Sequence, residues 1–125
     1  MTTVTKSLKI LLVEDEPIPM LVHRKMLANL GYAPDTANNG QQALDMANNS
    51  YDVIFLDIGL PDIDGIAVAT EIRRRQNNTP IIALTAYAVE EIHRECLMAG
   101  INKVITKPLV INTLQQLLLS HVNSN

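Results

Sequence analysis

Four aliphatic stretches of this 125-residue chain end in side chains that can hold a phosphoryl group or a hard cation. Asp57 follows the run Tyr51-Asp52-Val53-Ile54-Phe55-Leu56 and precedes Ile58-Gly59-Leu60-Pro61-Asp62-Ile63-Asp64-Gly65. Glu14-Asp15-Glu16 closes the run at 8–13, Thr85-Ala86 ends another, and Lys107-Pro108 follows a fourth. Carboxylates supply oxygen ligands to a divalent cation, while an ammonium and a hydroxyl can neutralise and bind phosphoryl oxygens. Collected at one sheet edge, these residues form a constellation for phosphoryl chemistry. The carboxyl ends of the strands in an open α/β sheet are where ligands bind.

The elements that must position them alternate strand and helix five times. The run at 8–13 is continuously aliphatic, as a strand covered on both faces is. Pro17 and Pro19 fit only the start of a helix, which carries Met20, Leu21, Met26, Leu27 and Leu30 before Gly31 stops it. A short strand at 33–37 contains Pro34 and belongs at a sheet edge, where a missing N–H is harmless. Helices are expected at 41–48, 67–76 and 110–121, and strands at 53–56, 80–84 and 102–105. Strands joined by helical crossovers imply a doubly wound parallel sheet with right-handed connections. A five-unit chain with an edge-like second strand suggests strand order 2-1-3-4-5, which makes the first and third strands neighbours at the switch point. Those are the strands that end in Glu14-Asp15 and Asp57.

Composition excludes several classes. The chain is 47% hydrophobic but only 3% aromatic, so its core must be aliphatic. A formal net charge of −3 has the wrong sign for direct nucleic-acid binding. The single Cys96 cannot form an internal disulfide and reads as core. No apolar stretch reaches the roughly 18 residues that span a bilayer, and the first nine residues carry no signal-peptide apolar segment. These features predict a cytoplasmic domain at 8–122 without membrane contact, with flexible ends at 1–7 and 123–125.

In its motifs the chain resembles the receiver domain of two-component response regulators. The match runs through Glu14-Asp15, the segment Asp57 to Gly65, Thr85-Ala86 and Lys107-Pro108, in order and over nearly the whole length. The resemblance implies a flavodoxin-like receiver fold with five helices. It implies phosphorylation of Asp57 by a histidine kinase or histidine phosphotransfer protein, dependent on Mg²⁺, for which Mn²⁺ can substitute. Asp15 and Asp57 are then expected as direct metal ligands, Glu14 as a ligand mainly through water, and Gly59 through its carbonyl. Lys107 should pair with Asp57 and later with a phosphoryl oxygen, which Thr85 and Ala86 also bind. Such a domain is a signalling phosphoacceptor that catalyses its own phosphorylation and dephosphorylation.

Two positions depart from the receiver pattern. Val104 stands where many receivers carry an aromatic ring, and Gly59 where a polar side chain is common. Aliphatic residues there, with the Lys107-Pro108-Leu109 ending, are similar to receivers attached to hybrid sensor kinases. Met1 allows a stand-alone protein, and the hybrid-kinase likeness equally allows a module of a longer chain.

Other readings meet obstacles. An aspartate-nucleophile phosphohydrolase of the haloacid dehalogenase type wants a second aspartate two residues on, where this chain has Gly59. A flavin binder lacks aromatic residues, and a P-loop enzyme lacks its glycine-rich loop. A receiver without phosphorylation is opposed by the intact set Glu14, Asp15, Asp57, Thr85 and Lys107. Glu16 is expected to cap the first helix. Arg73-Arg74-Arg75 reads as a solvated helix face, and His23, His93 and His121 as surface or interface residues. Surplus leucines on the last helix, with the helix before it, hint at a homodimer or partner face.

Overall fold

A computed structural model describes residues 8–122, with side chains to residue 120. The elements, in chain order, are β1 (Ile10–Val13), α1 (Pro17–Asn29), β2 (Asp35–Ala37), α2 (Gly40–Met46) and β3 (Val53–Asp57). There follow α3 (Gly65–Arg74), β4 (Ile81–Thr85), α4 (Glu90–Met98), β5 (Lys103–Thr106) and α5 (Ile111–Val122). All strands pair in parallel, in the order β2-β1-β3-β4-β5. This is the doubly wound sheet expected from the sequence. The expected flexible ends and the side chain of His121 lie outside the described residues.

Boundaries shift for local reasons. Pro34 falls before β2, which is only three residues long. The α2 helix begins at Gly40 because Asn39 accepts the Gln42 N–H at 2.8 Å. Asp64 likewise accepts the Ala67 N–H at 2.9 Å and starts α3 at Gly65. Each cap satisfies a donor that the first helical turn leaves free. Glu16 occupies the same position before α1, yet its side chain makes no capping bond, contrary to expectation. Gly31, at φ +95°, ends α1 in a backbone region that side chains resist.

Side-chain alternation along the strands divides the interior into two cores. Leu11, Val13, Ile54, Leu56, Ile81 and Ala83 face α2, α3 and α4, meeting Leu44, Val68, Ile72 and Cys96. Ile10, Leu12, Val53, Phe55, Ile82 and Leu84 face α1 and α5, meeting Leu27, Leu114 and Leu118. The three central strands are buried end to end. Their carboxyl ends are thereby held at a common level. Gly65 packs against the end of β3 so closely that an added Cβ would lie 2.6 Å from the Asp57 carbonyl oxygen. Only glycine fits there, and it fixes where the loop after Asp57 returns.

The arginine run is not uniformly solvated. Arg74 is exposed and pairs with Glu71 at 2.7 Å. Arg73 instead reaches inward to the carbonyl oxygens of Gly100, Asn77 and Thr79 and to Asn102 Oδ1, all within 2.9 Å. It ties α3 to the loops before β4 and β5. Burial lowers its guanidinium pKa from the ordinary value.

Candidate functional site

Asp57 is the last residue of β3 and is 6% exposed, with its carboxylate at the sheet edge. Its Oδ1 accepts the Gly59 N–H at 3.0 Å, and its Oδ2 accepts a bond from Lys107 Nζ at 3.1 Å. Lys107 follows β5 directly, two strands away from β3 in the sheet. Burial by itself would push the Lys107 ammonium down, but Asp57, and then Glu14, more than offset this and hold it above its ordinary value. The cation is therefore secured next to the carboxylate it neutralises.

Thr85 ends β4, between these two strands, and is 2% exposed. Its hydroxyl oxygen accepts the Tyr87 N–H at 3.1 Å, which leaves the O–H to donate elsewhere. A cleft of about 430 Å³ opens over this edge and is lined by Asp57, Gly59, Thr85, Ala86, Tyr87 and Lys107 among others. The Tyr87 residue on its rim is 63% exposed.

Glu14 and Asp15 follow β1, beside β3. Glu14 is 1% exposed, and its Oε1 stands 3.5 Å from Lys107 Nζ without a hydrogen bond. Asp15 Oδ1 is also buried and unpartnered. Buried carboxylate oxygens without donors are costly unless a cation or water meets them. Among the described residues no three carboxylate, imidazole or thiol side chains converge into a ready metal cluster. Glu14 is turned to Lys107 and to a histidine rather than joining Asp15 and Asp57 in one knot. Asp57 and Gly59 line the cleft, and the buried Asp15 Oδ1 has no donor, so the groups at hand for a cation offer oxygen only. Mg²⁺, which takes one or two carboxylates and keeps its waters, suits that set.

The histidine is His23. Expected at the surface or an interface, it is instead inside the domain, 6% exposed, and its Nδ1 hydrogen-bonds to Glu14 Oε2. The signal that could have found it is a stripe along α1, Met20, His23, Leu27 and Leu30, at spacings of three and four. Two other acids of the Asp57 loop are structural. Asp62 accepts the Gly40 and Gln41 N–H groups at 2.7 and 3.0 Å, which lowers its pKa, and Asp64 caps α3.

With this geometry in view, the likenesses to known proteins are specific. The model of the response regulator receiver domain matches residues 10–119. Sensor histidine kinase RcsC of Salmonella typhimurium is 34% identical over 110 residues, covering 87% of this chain. Aerobic respiration control sensor protein ArcB of Escherichia coli is 38% identical over 112 residues, covering 86%. The chain spans only 12% and 14% of those two relatives' lengths. Among solved structures, the receiver domain of sensor histidine kinase PA1611 from Pseudomonas aeruginosa, with magnesium coordinated in its active-site cleft, superposes with TM-score 0.86 at 39% identity. That match covers 95% of this chain and 100% of that one. The Francisella response regulator 1452 receiver domain gives TM-score 0.87 at 30% identity, covering 93% and 97% of the two chains. The chain belongs to the response regulator receiver domain family, the phosphoacceptor modules of two-component signalling.

Proposed function

We propose that residues 8–122 form a receiver that takes a phosphoryl group onto Asp57 from a phosphohistidine of a histidine kinase or histidine phosphotransfer protein. The observation that carries this reading is the Asp57 carboxylate at the end of the central strand, held 3.1 Å from Lys107 Nζ at the floor of an open cleft. In the step, an Asp57 oxygen forms a bond to phosphorus while the phosphorus–nitrogen bond breaks and the imidazole leaves with the electron pair. Transfer of this kind asks for positioning and charge stabilisation more than for covalent help.

Mg²⁺, held by Asp15, Asp57 and the Gly59 carbonyl, with Glu14 acting through water, would supply positive charge against the anionic transferring group; Mn²⁺ has the same oxygen preference. Lys107 exchanges its Asp57 contact for a phosphoryl oxygen. The Thr85 hydroxyl and the Ala86 backbone N–H bind the other oxygens. The same residues then serve hydrolysis, so the domain promotes its own phosphorylation and dephosphorylation.

Docking of the donor fits the face of α1 and the loop before α5. Ile18 and Val22 are exposed there and, with Pro19 and Pro108, line an apolar groove of about 410 Å³ that borders Lys107. Leu97 and Met98 on α4, and Ile111 and Leu119 on α5, are exposed, which supports these two helices as the surface of a homodimer. No described helix is long and apolar enough to cross a membrane, and the acidic balance argues against direct nucleic-acid contact. A cytoplasmic module that switches or relays a signal is the setting that phosphoryl transfer from a histidine kinase implies.

The test is transfer from a phosphorylated histidine phosphotransfer protein. Label should move to the wild-type chain with Mg²⁺ and stay on the donor with the Asp57→Asn variant. Movement to both proteins alike would contradict the assignment.

A further inference from the structure

Glu14 enters this site with an unusual attachment. The carboxylate is almost fully enclosed, and the side chain that meets its Oε2 belongs to neither the sheet nor the site loops. That side chain is His23, on the second turn of α1. An ionised carboxylate only accepts, so the facing imidazole nitrogen must carry the hydrogen. The other oxygen, Oε1, is left 3.5 Å from Lys107 Nζ with no hydrogen bond of its own. One oxygen is anchored and the other faces the ammonium without a hydrogen bond.

We propose that His23 is a positioning residue for the cation site: by anchoring Glu14 Oε2 it fixes the carboxylate so that Oε1 stays turned toward Lys107 and available to a metal-bound water. The proposal rests on the reading of Asp15, Asp57 and Gly59 as the cation's ligands. A glutamate has three rotatable bonds, and a carboxylate held only by Lys107 at 3.5 Å could take several orientations. The imidazole bond removes that freedom before the cation arrives. His23 also lines the apolar groove with Ile18, Pro19 and Val22, so one residue meets both that groove and Glu14. Burial at 6% exposure holds the ring in place.

Outer partners of metal ligands commonly change metal affinity by about 10–100-fold when removed. A Mg²⁺ titration of the whole chain, followed on the Gly59 amide resonance, reads the effect directly, because that N–H bonds Asp57 Oδ1. His23→Ala should weaken Mg²⁺ binding about tenfold or more. His23→Asn, whose amide can replace the lost donor, should stay within about threefold of wild type, since the anchor is retained. In a Glu14→Gln background, His23→Ala should add no further loss, because a residue that acts through Glu14 couples fully to it. Equal affinity in wild type and His23→Ala, or additive losses with Glu14→Gln, would overturn the proposal. So would a loss in His23→Asn as large as that expected of Ala, and this variant decides alone should His23→Ala fail to fold. No Mg²⁺ shift in the wild type would instead defeat the cation-site reading itself, and the proposal with it.

Discussion

Lys107 Nζ stands 3.1 Å from Asp57 Oδ2, although fifty positions of chain separate them. Their meeting is a product of register. Asp57 pairs with Leu84 across β3 and β4, and Thr85 pairs with Thr106 across β4 and β5. Three strand ends are therefore level, and the ammonium lands where the carboxylate emerges. A shift of one residue in either pairing would turn alternate side chains to the other face and separate the two groups.

Removing the ammonium leaves Glu14 and Asp57 without the cation that pairs with both. Lys107→Met should lower the stability of the metal-free protein by roughly 1–3 kcal/mol, less than a fully buried pair because the lysine is partly exposed. Mg²⁺ should restore more stability in this variant than in wild type. Urea unfolding with and without Mg²⁺ measures both, and an unchanged midpoint without metal would show that the contact contributes nothing.

Asp15→Asn should act in the opposite sense. It removes the charge from a carboxylate whose Oδ1 is buried without a donor and so should raise the stability of the metal-free protein. It should also eliminate the stabilisation that bound Mg²⁺ confers by linkage. Thermal melts across a Mg²⁺ series test this. A metal-dependent shift that survives in Asp15→Asn would remove Asp15 from the ligand set.

Arg73 and Arg74 are adjacent yet should behave differently. Arg73→Ala removes four hydrogen bonds, three of them part-buried, and should cost about 2–4 kcal/mol. Arg74→Ala breaks only a surface pair and should cost at most about 1 kcal/mol. Denaturant midpoints of the two variants decide it, and equal losses would contradict the inward placement of Arg73.

Tyr51 gives a pH dependence remote from the site. Burial, and then its hydrogen bond to Asp35 at 2.8 Å, push the phenol from 10.0 up to about 12. The folded state thus favours the protonated ring, so the stabilisation is complete below pH 10 and is lost as pH rises toward 12. A shift of two units corresponds to roughly 2–3 kcal/mol. Unfolding measured across that interval should show the loss in wild type and a shallower one in Tyr51→Phe. Identical slopes would assign the alkaline loss to other groups.

Strand order and site edge were legible because burial on both faces of a central strand demands continuous aliphatic runs, and Ile10–Val13, Val53–Asp57 and Ile81–Thr85 are such runs. Pro34 marked the edge correctly while overstating the length of β2. His23 was obscured by its neighbours, since Leu21, Val22, Arg24 and Lys25 are all exposed and give α1 a weakly patterned surface. Its inward direction depends on how α1 packs against β1. Arg73 was hidden by residue type: three successive arginines look alike until helix phase is known. Buried Ala69 and Ile72 put position 73 at the border of the inner face, where a long side chain can reach the loops beneath. What the sequence did not disclose depends on three-dimensional phase and on partners distant in the chain.

The central claim is that Asp57 accepts the phosphoryl group, and peptide-level mass analysis after exposure to a small-molecule phosphodonor tests it most directly. With Mg²⁺ the chain should gain one acid-labile phosphoryl group on the peptide containing Asp57, with none after chelation of the metal and none in Asp57→Asn. A phosphoryl group on another peptide, or equal uptake by Asp57→Asn, would contradict the account.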